Sequence, residues 1–292
     1  MTAGRADGLM RHILACNNAD LPGRRVRLLV GPHPVGWVLP ETAGVLRAVP
    51  GVATNQAGLT IDATATGEAA RALVAAKLAR WRDEVFDLHD DTTGACAGRI
   101  DRGALPALGA QAYGVHLNGR VRRADGFHLW VARRRDDRPL DPGKLDHLVA
   151  GGMPAGLSQM ETLVKEAQEE AGMPAALAVR AVPVGVIAYA MERAEGMRRD
   201  RLYCYDVDLP DDFIPAPADD EVAGFELWPI ERVLATVRET DAFKFNVNLV
   251  LIDLFLREGL IAEPEASRLR RAMDQPSGGA ALIGISRGSG EG

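Results

Sequence analysis

The chain has 292 residues, 47% of them hydrophobic and 25% charged, the balance of an ordinary soluble globule of one or two domains. Its formal net charge of −6 argues against a protein that grips nucleic acid through a basic surface, so an acidic ligand would need a local cationic pocket. Cys16, Cys96 and Cys204 form no C-x-x-C pair and read as reduced structural thiols. No apolar run is long enough for a membrane span and no signal-peptide core is visible, so the expected location is cytoplasmic, with no membrane partner.

In chain order, residues 1–110 read as an α+β module. Short strands are expected at 25–30 and 35–38 across a Gly-Pro turn, followed by a helix over 68–81 with Ala70, Leu73, Val74, Leu78 and Trp81 at helical spacing. The polar stretch 89–106 reads as a connector. A second module, 111–265, opens with strands at 114–121 and 127–132 around a turn at Arg123-Ala124-Asp125-Gly126. Further strands are expected at 182–189, 201–209 and 225–228, and an apolar helix at 245–257. Residues 266–292, dominated by glycine and serine from Gln275 onward, read as a disordered tail.

The most informative stretch lies between these strands. Ser158 followed by Glu161 is a capping-box pattern, Gly172 reads as a helix stop, and Met160, Leu163, Val164, Ala167 and Ala171 form an apolar stripe. The opposite face carries Glu166, Glu169 and Glu170 at i, i+3 and i+4, where like charges repel by roughly 0.2–0.5 kcal/mol per pair. They also sit at the negative end of the helix dipole, which prefers cations. Such a face is either solvated or neutralised by a divalent cation, and carboxylate oxygens are the ligands that hard ions such as Mg²⁺ select.

Gly151 followed by Lys165-Glu166-Ala167-Gln168-Glu169-Glu170-Ala171-Gly172-Met173 resembles the Nudix box, with Leu157 in place of the family's first glutamate and Lys165 in place of its arginine. Trp81-Arg82-Asp83-Glu84, Tyr113-Gly114-Val115-His116-Leu117-Asn118-Gly119, Leu129-Trp130-Val131-Ala132-Arg133-Arg134, Pro142-Gly143-Lys144-Leu145-Asp146 and Phe243-Lys244-Phe245-Asn246 extend the similarity over roughly residues 20–262. They resemble a Nudix subgroup whose members carry an N-terminal domain of unknown function, are related to thiamine pyrophosphokinase, and include hydrolases of oxidised or damaged thiamine diphosphate. The resemblance implies an α/β fold, a Nudix α/β/α sandwich with a mixed sheet, preceded by the smaller α+β domain. It also implies a magnesium-dependent pyrophosphohydrolase, with Mn²⁺ as an alternative ion.

On that resemblance Glu166, Glu169, Glu170 and the Gly151 carbonyl would hold the metal. Glu169, Glu170, Glu221 and Lys165 would form the catalytic set, Lys165 as a brace rather than a proton carrier. Glu221 also reads as an ordinary acidic turn. Arg133, Arg134, Lys144 and Arg201 are candidate phosphate contacts, the first three equally readable as a charged surface hairpin. Arg199, His116 and Asn118 are weaker pocket candidates, and Trp37, Trp81, Trp130 and Trp228 read as core more than as ring platforms. The expected partner is a small-molecule diphosphate. Thiamine diphosphate or its oxidised analogues are preferred by resemblance; ADP-ribose, NADH or coenzyme A compounds remain open, as does a non-catalytic ligand sensor motivated by Leu157. No basic DNA-reading helix is visible, and a homodimer is as compatible with the chain as a monomer.

Overall fold

A computed structural model describes residues 8–218 and 220–274. After α1 (Met10–Cys16), strands β1 (Val26–Val30) and β2 (His33–Val38) form a hairpin, followed by α2 (Pro40–Leu46), β3 (Val52–Asn55), β4 (Gly58–Ile61) and α3 (Thr66–Ala75). These strands form one sheet in the order β2-β1-β4-β3, in which only the β1–β4 pairing is parallel. Leu28, Val30, Leu59 and Ile61 point from it onto Ala69, Ala70 and Leu73 of α3, as the period-2 and period-3.6 patterns require. The helix expected over 68–81 ends at Ala75, and Lys77 turns the chain with a left-handed φ of 59°. Trp81 is therefore outside it and 41% exposed.

The stretch expected to be a connector instead begins within a second hairpin, β5 (Val85–His89) and β6 (Cys96–Asp101), and ends in a short helix, α4 (Leu105–Leu108). Its alternation was masked by polar outward residues, while Phe86, Leu88 and Ile100 point into the same core as β1 and α3.

β7 (Gln111–Arg123) and β8 (Gly126–Arg134) begin the larger sheet. They are followed by β9 (Leu145–Asp146), β10 (Val149–Gly152), α5 (Gln159–Ala171), α6 (Ala175–Ala178), β11 (Val182–Arg193), β12 (Gly196–Asp208), β13 (Val222–Pro229), α7 (Ile230–Glu239), α8 (Val247–Arg257) and α9 (Glu265–Asp274). The strand order is β11-β12-β7-β8-β13, with β9 added on β8 and β10 on β7. β7 pairs along one edge with parallel β12; along the other, its first half pairs with β10 and its last residues with β8. That fork delivers the chain from β10 directly to α5.

α5 covers one face of this mixed sheet through Leu163, Ala167 and Ala171, packed with Val115, Leu117 and Val149. α7, α8 and α9 cover the other, and α8 is buried on nearly all sides. α1 belongs to that second layer although it precedes the N-terminal sheet. Leu9, Ile13 and Cys16 share its core, and Arg11 donates to the carbonyls of Arg238 (2.8 Å) and Thr240 (2.6 Å) at the end of α7. Residues 265–274, expected to be part of a disordered tail, form α9, which buries Ala266 and Leu269; the rest of that tail, 275–292, lies outside the described residues. Among the described residues no helix is long and apolar enough to cross a membrane.

Candidate active site

α5 starts with the reciprocal cap its sequence encodes. Ser158 Oγ accepts from the Glu161 N–H at 3.3 Å, and a Glu161 carboxylate oxygen accepts from the Ser158 N–H at 2.9 Å. Gly172 ends the helix at φ 60°, a left-handed conformation that glycine adopts without cost.

The three glutamates leave this rigid helix in different environments. Glu170, 9% exposed, accepts from the Ala150 N–H at 2.8 Å. Glu166 lies against the α-carbon of Gly151, where a Cβ would overlap its carboxyl group. Glu169 is half exposed and pairs with the Lys165 ammonium at 2.5 Å, which also reaches Glu166 at 3.2 Å. Burial raises the Glu166 pKa, with Glu169 and Glu84 adding to it against the opposing Lys165. Burial drives the Glu170 pKa well above the carboxylate range; Glu166, Asp146 and Glu221 add to that, while the Ala150 N–H opposes it.

These acids therefore carry more negative charge than one ammonium and one N–H offset, and hard oxygen donors suit a divalent cation. Among the described residues no three acidic, histidine or cysteine groups already stand at metal-holding spacing.

Glu221 is carried just ahead of β13, pairs with Arg138 at 2.6 Å, and is near enough to raise the Glu170 pKa. The other cationic candidates are mostly engaged elsewhere. Arg134, expected to contact phosphate, is buried and donates to Asp146 (3.1 Å) and to the carbonyls of Leu140 (3.0 Å) and Asp141 (3.3 Å). Arg133 donates to the Gly143 carbonyl and lines a groove with Val131, Leu145 and Trp228, residues of the layer under α7 and α8. Lys144 lies near His12 of the helix preceding the N-terminal sheet. These residues stabilise the Pro142-Gly143 turn, whose Gly143 N–H returns to the Arg135 carbonyl. Arg199 is spent on Asp91 and the Gly109 carbonyl, Asn118 on Asp206, and His116 is buried edge-on against His147.

Arg201 lies behind Tyr113, which lines a recess. Its guanidinium lies 5.9 Å from the Tyr113 ring centre, and Tyr113 contacts His89 at 4.3 Å between ring centres. Tyr113, His89, Phe86, Met153, Pro154 and Leu157 line a small recess together with Asp87. The β5–β6 hairpin forms its outer wall, fixed by the Ala155 N–H to the Val85 carbonyl (2.8 Å) and the Gly156 N–H to Asp87 (3.0 Å). Sequence reading placed His89 in a connector and gave Phe86 no role. Their only signal was a weak alternation, and nothing local announces that the hairpin closes over β10.

Residues 114–247 match the family model of the NUDIX domain. The chain carries a Nudix domain. It is 43% identical over 185 residues to Nudix hydrolase 24, chloroplastic, and 41% identical over 186 residues to Nudix hydrolase 20, chloroplastic, both of Arabidopsis thaliana. These matches cover 63% and 64% of this chain and 50% of each relative, so the chain spans about half the length of these relatives. A crystal structure from Deinococcus radiodurans superposes with a TM-score of 0.44 at 24% identity, covering 57% of this chain and 97% of that one. Within the matched residues, α5 carries the stretch that resembles the Nudix box. Its two departures have distinct surroundings: Lys165 is the counter-ion of Glu166 and Glu169, and Leu157 is an apolar wall of the recess.

Proposed function

We propose that the protein is a Mg²⁺-dependent pyrophosphohydrolase that cleaves an X-linked diphosphate, with thiamine diphosphate or its oxidised analogues as the preferred substrate class. The observation that supports the hydrolase reading is that one helix holds Glu166 against Gly151 and Glu170 on the Ala150 N–H, with Glu169 joined to Glu166 through Lys165 and Glu221 near enough to act on Glu170. Glu166, Glu169 and Glu170 would hold the ion, which supplies Lewis acidity and neutralises charge developing on the diphosphate. Lys165 then retains a counter-ion role beside the helix, and Glu221, ion-paired to Arg138, would accept the proton of the attacking water.

The substrate preference rests on the resemblance of the flanking motifs and on the recess of Tyr113, His89, Phe86 and Leu157, which suits a flat ring held by stacking. The test is incubation with Mg²⁺ or Mn²⁺ and a panel of thiamine diphosphate, its oxo-derivative, ADP-ribose, NADH and a coenzyme A ester, with Glu169→Gln beside it and products identified by mass. Conversion of the thiamine compounds to monophosphates, lost in Glu169→Gln, is the expected result. Turnover of nucleotide compounds alone would discard the substrate assignment, and tight binding without turnover would replace the hydrolase by a ligand sensor.

A further inference from the structure

The recess has two walls from different parts of the chain. Phe86, Asp87 and His89 come from β5, outside the residues matched to the Nudix domain, while Met153, Pro154 and Leu157 come from the loop between β10 and α5. That loop is anchored at both ends. Its start is fixed by the Met153 N–H on the Tyr113 carbonyl of β7 at 2.9 Å, and its end runs into Ser158, the cap of α5. Between these anchors, among the described residues, its hydrogen bonds to another element go to β5 alone. The Ala155 N–H donates to the Val85 carbonyl at 2.8 Å, and the Gly156 N–H donates to an Asp87 carboxylate oxygen at 3.0 Å.

Burial alone does not hold this stretch. Residues 153–155 and 157 are only partly buried and Gly156 is exposed, the profile of a segment that opens easily. Gly156 stands at φ 83°, a conformation that glycine enters and leaves at little cost. Asp87 is the fixed side of the contact. Its other carboxylate oxygen accepts from the Arg99 Nε–H at 3.0 Å across the β5–β6 hairpin, where the two residues are register partners. The neighbouring Phe86, Leu88 and Ile100 are buried in the N-terminal core, and Phe86 also stands against Gly152, where a Cβ would come within 2.6 Å of its ring. The Asp87 carboxylate is largely shielded from water, which strengthens a charge-assisted bond to a backbone N–H. The acidic site is held by other means: Gly151 lies opposite Val115 in the β10–β7 ladder, and the Ala150 N–H is bound by Glu170.

Resting on the assignment of the recess to the substrate's ring, we infer that Asp87 is a positioning residue contributed by the N-terminal module: through the Gly156 N–H it holds the wall of Met153, Pro154 and Leu157 against the wall of Phe86 and His89. Its effect belongs to the ring-binding half of the site. Loss of the contact frees the inner wall and weakens the grip on a ring, while Glu166 and Glu170, whose backbone neighbours are fixed by β10, keep their places. The role needs an acceptor oxygen rather than a charge, so asparagine serves where alanine does not, and the exposed Arg99 is dispensable.

The experiment uses the full chain in Mg²⁺, with the ring-bearing diphosphates of the panel above as substrates and inorganic pyrophosphate as a competitor that has no ring. Asp87→Ala should raise KM about tenfold, the lower end of what a hydrogen bond to a charged acceptor supports, with kcat and the pyrophosphate inhibition constant within about twofold of wild type. Asp87→Asn should bring KM back to within about threefold of wild type, and Arg99→Gln should leave it unchanged. Hydrogen exchange reads the cause directly: amides of residues 153–157 should exchange faster in Asp87→Ala than in wild type and close to the wild-type rate in Asp87→Asn. An unchanged KM in Asp87→Ala would overturn the inference and leave the hydrolase reading intact. So would an equal rise in KM and in the pyrophosphate inhibition constant, an Asp87→Asn protein no better than Asp87→Ala, or a raised KM without faster exchange in the loop. A wild type that neither binds nor cleaves any compound of the panel would remove the hydrolase reading and, with the recess assignment, this inference as well.

Discussion

Glu170→Gln separates a metal ligand from a structural carboxylate, because the two roles predict opposite effects on stability. Glutamine retains an oxygen to accept the Ala150 N–H now bound at 2.8 Å, and it removes a buried acid whose ionisation is opposed by its surroundings. In chelator at pH 8 the variant should therefore be more stable than wild type, by about 1 kcal/mol on the scale of buried polar groups. For a chain of this size that is a rise of roughly 2–4 °C in unfolding temperature. Added Mg²⁺ should reverse the order. At an ion concentration about 100 times the dissociation constant, wild type gains about 2.7 kcal/mol; a tenfold loss of affinity in the variant reduces the gain to about 1.4 kcal/mol. Thermal unfolding of both proteins in chelator and across a Mg²⁺ titration measures each quantity. A variant less stable than wild type in chelator that keeps the full Mg²⁺ increment would show Glu170 to be structural and refute the ligand assignment.

Gly151→Ala should weaken Mg²⁺ binding at least tenfold with unchanged far-UV circular dichroism, because the new Cβ overlaps the Glu166 carboxyl group; an unchanged Mg²⁺ midpoint for activity would detach Gly151 from the site. Leu157→Glu places a charge in the recess beside Phe86 and Tyr113 and should raise KM about tenfold without raising kcat, since burying an apolar side chain is worth roughly 1.5–3 kcal/mol; a higher kcat at constant KM would contradict the assignment of this recess to the substrate's ring. His147 is buried, and burial, with Lys244 adding and Asp146 opposing, pushes its pKa down to about 4 from 6.5. Because the unfolded chain binds that proton more readily, the contribution is fully present above pH 6.5 and is lost as pH falls toward 4, a loss of about 3 kcal/mol; urea midpoints of His147→Gln should vary less than wild type across that window, and parallel curves would refute the assignment.

The parts legible in sequence were those governed by local rules. The capping box at Ser158 and Glu161, the Gly172 stop and the apolar stripe of α5 all depend on residues within one or two helical turns. The strands β7, β8, β11 and β12 announce themselves by alternation and by the turn between Arg123 and Gly126. The phosphate contacts were less legible because charge and proximity in sequence do not reveal the partner. Arg134 reads as available until the 140–141 carbonyls and Asp146 fold around it. α9 was hidden by its neighbours, since a polar helix whose stripe is only a few residues deep looks like the start of a polar tail.

Long-range closure explains what remained. Phe86 and His89 precede the box by some sixty residues, and only the docking of the β5–β6 hairpin against β10 brings them to it. That docking also makes physical sense of the two departures from the Nudix pattern. A glutamate at 157 would set a further carboxylate beside Asp87, Phe86 and Tyr113, whereas Leu157 packs against the recess without added charge. Lys165 cannot clamp a carboxylate with a planar fork, but a flexible ammonium can span Glu166 and Glu169.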